Sequence, residues 1–491
     1  MELNKIYTPD KIFGLFGIMA SIGLMFIVFD LHKPSTYLIP GFLSLIACLT
    51  WFFVRKDSSL ALCNNNSRNI NLLLSSSFFL ILVLSILSFY LRPNLYERPL
   101  IYFVLISFMS CIILLEIIFN YRYKFTKFIL FQIIILGLNL IWTQQLLFPS
   151  VVGIDSAWNM RFTSHILCNG HLLGGANYSN IPLNHIEIAI TSLLTDYPYK
   201  IAVMLSISFI QMTCFVLFMF LIGKKIFNED VGLLTGLLLS FSNMIIEFGW
   251  WAVPTSTASI FIPIIIYLLI KNRSKTTITL TLILMIALIL THPVTSMWLA
   301  ILLMVGFIIS KIYSYLSEHQ IKNPINLTVC LFFVIAMFTL WMYASGIFDS
   351  LIRIVLWGFN VDYFHKGPIL TSYLQTVPLK EQIYNNMGLF MFCALSLIGF
   401  LYAISKKSFY PILIAFFGLI TLGIGFFSLI SGKEVLNIRW LYFAQIILSL
   451  LVAVSLIIIF NFIKNKKLKY IFILIFVGSL SFSMITSSTA N

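Results

Sequence analysis

Sixty per cent of the 491 residues are hydrophobic, only 10% are charged, and the mean hydropathy is +0.99. A soluble globular chain carries about 25% charged residues, so a cytosolic enzyme is excluded. A disordered or nucleic-acid-binding chain is excluded with it, despite a net charge of +14. The composition is that of an all-α polytopic membrane protein, whose charge reads first as topology.

A span needs roughly 20 mostly apolar residues. Fifteen stretches qualify, at about 11–30, 36–54, 70–91, 99–119, 127–148, 199–222, 231–247, 252–270, 277–291, 294–313, 326–346, 386–404, 410–430, 440–462 and 470–488. The predicted count is therefore about 13–15 transmembrane helices. The breaks Phe248-Gly249-Trp250-Trp251 and Thr291-His292-Pro293 read either as loops or as re-entrant turns. No cleavable signal peptide is expected, because the first span is long and lacks a small-residue cleavage pattern. With the N-terminus inside, the short loops holding Arg55 and Lys56, Lys224 and Lys225, Lys406 and Lys407, and Lys464 to Lys469 all fall on the inner side. The positive-inside rule then holds along the whole chain, with the C-terminus outside. The long non-helical segments, 149–198 and 346–385, fall outside, where the spare polar groups are.

The first of these opens "FPSVVGIDSAWNMRFTSHILCNGHLLGG". After Asp155, the residues Trp158, Phe162 and Ile166 recur at helical spacing, and Gly170 sits where a helix would stop. The pattern predicts a helix of about fifteen residues lying in the membrane interface, polar side up. Asp155 at its start has two readings. It is an N-cap, accepting from free amides, or a functional carboxylate at the water–lipid boundary.

A span, an outer loop opening with a Gly-x-Asp step, and an interfacial helix ending near a glycine resemble the GT-C superfamily of integral-membrane glycosyltransferases. Protein O-mannosyltransferases, the aminoarabinose transferase of lipid A and the catalytic subunit of oligosaccharyltransferase belong to it. The likeness continues through "YPYKIAVMLSISFIQMTCFVLFMFLIGKKIFNEDVGLLTGLLLSFS" and "VPTSTASIFIPIIIYLLIKN". "LTHPVTSMW" and "LNIRWLYFAQIIL" look like features of uncharacterised archaeal members. It covers about 127–320, and 386–462 loosely. The implied organisation is four extra N-terminal helices in 1–126, a GT-C-like module in 127–345 with the large loop 149–198, an outer loop 346–385, and C-terminal helices in 386–491. The implied donor is a polyprenyl-phosphate-linked sugar used at the extracytoplasmic face. Where many members carry a second acid or a His shortly after the first acid, this chain has Asn159 and Arg161.

Such a transfer needs a carboxylate to deprotonate or orient the acceptor hydroxyl, and Asp155 is the candidate. It also needs donors for the departing phosphate. Arg439, at a span boundary beside Trp440, is the first candidate and a snorkelling anchor otherwise. Arg161 and Lys366 follow as weaker candidates. Asn159, Glu247, Trp250 and His292 are candidates to line the substrate pocket, with belt anchoring and helix-to-helix bonding as their bland alternatives. No metal ligands are assigned: the spacings of His165, His171, His185, Glu187 and His365 match no established pattern. A divalent metal is compatible with the chemistry, although no Asp-x-Asp or tandem acidic pair occurs in an outer segment. The partners implied are membrane lipids and the lipid-linked sugar, with the acceptor open. Two other readings stand beside the transferase: a transporter or flippase of lipid-linked saccharide, and a non-catalytic GT-C-like protein.

Overall fold

The computed structural model describes residues 8–30, 38–57, 59–62, 68–120, 123–174, 177–271, 274–317, 325–360, 378–431, 433, 437–487 and 490. Helices make up most of these, and no strand runs among the described residues. In chain order they are α1 (Pro9–Asp30), α2 (Leu38–Val54), α3 (Arg68–Tyr90), α4 (Leu100–Ile118), α5 (Thr126–Leu146), α6 (Ile154–Asn169) and α7 (Leu183–Thr195). After these come α8 (Tyr199–Ile226), α9 (Glu229–Ser240), α10 (Asn243–Trp251), α11 (Pro254–Ile270), α12 (Lys275–Ile289) and α13 (Pro293–Ser317). The chain ends with α14 (Leu327–Ala344), α15 (Ile347–Asn360), α16 (Leu379–Ser405), α17 (Phe409–Gly425), α18 (Asn437–Phe462) and α19 (Lys466–Ile485).

Every apolar stretch read from the sequence coincides with a helix or a helix pair. Among the described residues, ten helices are long and apolar enough to cross a membrane, and α9 with α10 makes an eleventh, bent by 57°. The shorter α2, α11, α12 and α17 are apolar but only 15 to 17 residues long. The bend falls at Phe241-Ser242, inside the stretch read as one span; the breaks at 252–253 and 290–292 separate α10 from α11 and α12 from α13. A break at membrane depth must satisfy its own backbone groups. Gln445 of α18 does this, its Oε1 accepting from the Met244 amide (3.2 Å) while its Nε2 donates to Asn243 Oδ1 (2.7 Å).

Helix α18 is the axis of the bundle, with 94% of its apolar stretch buried against 17% for the peripheral α1 and α3. It packs along α9, α16 and α17. Tyr442 shows how it organises its surroundings. Its ring stacks on Phe248 at 4.1 Å, and its hydroxyl meets Gln211 Nε2 (2.9 Å) and Ser259 Oγ (2.6 Å).

Hydrogen bonds at the helix ends sort the loops into two sets. At the basic end, Arg55 pairs with Asp10 (2.9 Å), Asn228 donates to Leu60 O, and Asn461 donates to Ser59 O. At the opposite end, Arg98 donates to Ala490 O, Tyr384 to Thr486, Asn180 to Ser345 O, and the Leu183 amide to Leu290 O. Each bond joins segments that alternating spans place on one side. Of the segment read as a loop at 346–385, Ile347–Asn360 forms α15 and 361–377 lies outside the described residues.

Candidate functional site

Helix α6 carries the loop carboxylate. It runs Ile154–Asn169 and ends on Gly170 in the left-handed conformation (φ +70°), as the sequence pattern predicts. Its start differs from the capping alternative. The N-cap is Gly153 at φ +93°, where a Cβ would stand 2.7 Å from Trp251 Nε1. Asp155 lies two residues further in, in the first turn, exposed and without a hydrogen bond among the described residues. A carboxylate there still gains about 0.3–1 kcal/mol from the helix dipole, yet it is free to meet a ligand.

The buried face of α6 is the small polar one: Ser156, Asn159 and Thr163. Ser156 Oγ donates to Trp251 O at 2.8 Å, which fixes the helix start to the end of α10. The apolar residues are not the packed stripe. Trp158 is exposed, and Phe162 lies half-buried against the His185 ring of α7 at 5.0 Å. Arg161 is exposed and sits 5.7 Å over Trp158, away from the buried face that holds Asn159.

Helix α10 brings Glu247 and Trp250 to the same region. Both are half-buried, and Glu247 Oε2 and Trp250 Nε1 are shielded with no partner among the described residues. The helix stops at Ala252, held at φ +49°, a conformation that costs a residue with a Cβ about 1–2 kcal/mol. Between α6, the 150–152 turn, the start of α8 and this break lies a cavity of about 20 Å3. Gln145, Ser156, Lys200, Trp250 and Trp251 line it. Sequence reasoning passed over Gln145 and Lys200; the signals were a Gln pair near the end of a span and a lone outer cation opening the next. Just inside that span, α8 widens into a π-helix at Met204–Phe209, a distortion common at functional sites.

His292 is fully buried and engaged on both ring nitrogens. Nδ1 accepts from the Thr295 amide at 3.3 Å, capping α13, so the proton belongs on Nε2, which meets Thr255 Oγ1 at 3.1 Å. Burial first, and the charge of Arg439 second, hold this imidazole well below its ordinary value. His292 thus joins the starts of α11 and α13 rather than opening to the cavity. Arg439 is half-buried in the first turn of α18, close enough for its charge to reach His292. Lys366 and His365 lie outside the described residues.

On α7, burial pushes the Glu187 carboxyl up to about 7 and the His185 imidazole down to about 4. His185 is 1% exposed, and neither ring nitrogen has a partner among the described residues. His165 and His171 meet edge to face at 5.1 Å further along the loop. Among the described residues, no group of three or more His, Cys, Asp or Glu side chains is placed to hold a metal ion.

No family model matches the chain, and no curated protein matches it in sequence. Among solved structures it is similar to the oligosaccharyltransferase of Archaeoglobus fulgidus, determined with a disulfide-tethered acceptor peptide containing the NVT sequon. The TM-score is 0.48 and the identity 10%, over 74% of this chain and 55% of that one. The chain spans about half the length of that protein.

Proposed function

We propose that this chain is an integral-membrane glycosyltransferase. It moves a sugar from a polyprenyl-phosphate-linked donor to an acceptor at the face where α6 lies. Asp155 orients or deprotonates the acceptor hydroxyl, and Arg439 holds the donor phosphate, with Arg161 and Lys366 as further cations of the outer loops. The observation that carries the reading is the free carboxylate in the first turn of α6. That turn is bonded to the Trp250-Trp251 end of a bent half-span, at the end of the bundle opposite the basic loops. The motif likeness in the loop and in "LNIRWLYFAQIIL" supplies the class of donor. A transport reading draws on the 57° break, since broken spans line many transporter sites; it expects bound lipid without transfer.

Mass spectrometry of lipids co-purified with the protein tests the donor assignment. A lipid-phosphate sugar should accompany the wild type. It should be lost from Arg439→Ala and be partly retained by Arg439→Lys, which keeps the charge but not the planar fork. Charge-assisted bonds to phosphate are roughly twice as strong as neutral ones. Equal lipid in all three proteins returns Arg439 to an anchoring role.

A further inference from the structure

Two residues that line the cavity behind the start of α6 have an unmet hydrogen-bonding demand. Gln145 is 6% exposed, and its Nε2 donates to Ser208 Oγ (2.9 Å) and to Trp250 O (3.2 Å). Ser208 Oγ itself donates to Gly249 O (2.8 Å), so it can only receive from Gln145. Two acceptors therefore fix which end of the amide is nitrogen. The other end, Oε1, is buried and has no donor among the described residues. A buried acceptor left unmet costs about 1–3 kcal/mol. Trp250, on the same wall, has a shielded Nε1 donor that is likewise unmet. A hydroxyl that reached both atoms would donate to the first and accept from the second. A cavity of about 20 Å3 has room for one such group.

Lys200 lines the same cavity and is the second residue of a helix long and apolar enough to cross a membrane. Its ammonium has one partner among the described residues, the carbonyl of Phe148, which leaves donors for an anion. Resting on the glycosyltransferase reading, we infer that this cavity selects a lipid headgroup in which a phosphate and a hydroxyl lie close together. The hydroxyl is taken by Gln145 and Trp250, and the phosphate stays outside on Lys200, which for a donor lipid acts in addition to Arg439. A glycerol-phosphate acceptor lipid and a phosphate-linked sugar both present that pair.

Titration calorimetry on the full chain in detergent tests this with short-chain probes that add one group at a time. Dihexanoyl phosphatidic acid has the phosphate alone, and monohexylglycerol the hydroxyls alone. Dihexanoyl phosphatidylglycerol and hexyl phosphoglucose carry both. At least one of the last two should bind roughly tenfold tighter than phosphatidic acid, the value of meeting one buried acceptor. Which of them binds tighter tells the acceptor source from the donor source. Gln145→Met should abolish that preference, and Lys200→Gln should weaken every phosphate probe while sparing monohexylglycerol. If Gln145→Met does not fold, Trp250→Phe, which removes the other unmet atom, must reduce the same preference. Equal binding of phosphatidic acid and both hydroxylated probes in the wild type would overturn the inference and leave an ordered water as the occupant. So would a preference that survives the variants. The measurement needs no turnover, so a failed headgroup assignment is distinguishable from a failed transferase assignment.

Discussion

His185 and Glu187 stand two residues apart on α7, and burial moves them in opposite directions. An unfolded His takes up its proton near 6.5 and the buried ring only near 4, so between those values the folded chain binds fewer protons and stability rises with pH. An unfolded Glu loses its proton near 4.5 and the buried carboxyl near 7, so across that range the folded chain binds more protons and stability falls as pH rises. The two contributions oppose each other from 4.5 to 6.5, and above 6.5 only the fall remains. Other titrating groups act equally on both proteins, so the effect is read as a difference: the thermal midpoint of Glu187→Gln minus that of the wild type should rise between pH 4.5 and 7 and level off above. Parallel curves for the two proteins would remove Glu187 from this balance. None of this was legible in the sequence, where both residues were only members of an unconvincing ligand set. What sets them apart is the packing of Phe162 over the His185 ring and the loss of water around both.

At the scale of elements, α6 was legible in its extent but not in its packed face. Its limits are written in local chemistry, with a glycine at each end. Its orientation is not, because the rule that apolar residues pack inward assumes water outside. A side chain that faces lipid needs no protein cover; here Trp158 is exposed while the small polar Ser156 and Thr163 are buried. The bend between α9 and α10 was hidden for a related reason. The groups that satisfy it sit on α18, some two hundred residues later. Close helix approach also leaves a testable mark. A Cβ on Gly399 of α16 would stand 2.0 Å from Leu451 O of α18, whereas one on Gly423 of α17 meets nothing within 4 Å. Gly399→Ala should destabilise the protein by about 1–3 kcal/mol through overpacking. Gly423→Ala should be neutral or stabilise it by up to about 1 kcal/mol. Thermal unfolding in detergent reads the difference, and equal midpoints would mean that the two helices slide apart at no cost.

For the whole molecule, the apolar stretches and their alternation carried most of the architecture, because length and hydropathy are dictated by the bilayer alone. The loops that those stretches assign to one side are the loops joined by hydrogen bonds at one end of the bundle. The site was legible only in outline. Asp155, Trp250 and the break beside Trp251 could be named from sequence, but the cavity that relates their surroundings also depends on Gln145 and Lys200, which the sequence reading passed over. The central claim is that Asp155 serves the reaction rather than the helix. Asn at this position keeps the size and polarity of the side chain but cannot take a proton. Gly153, not Asp155, caps the helix, so the change should cost no more than the dipole contribution of about 0.3–1 kcal/mol. The deciding measurement is turnover of the co-purified lipid-linked sugar in liposomes by the wild type and by Asp155→Asn. The account predicts intact folding and donor binding, with transfer lowered roughly 10²–10⁴-fold, the usual contribution of a positioned base. Transfer by Asp155→Asn at the wild-type rate would contradict it.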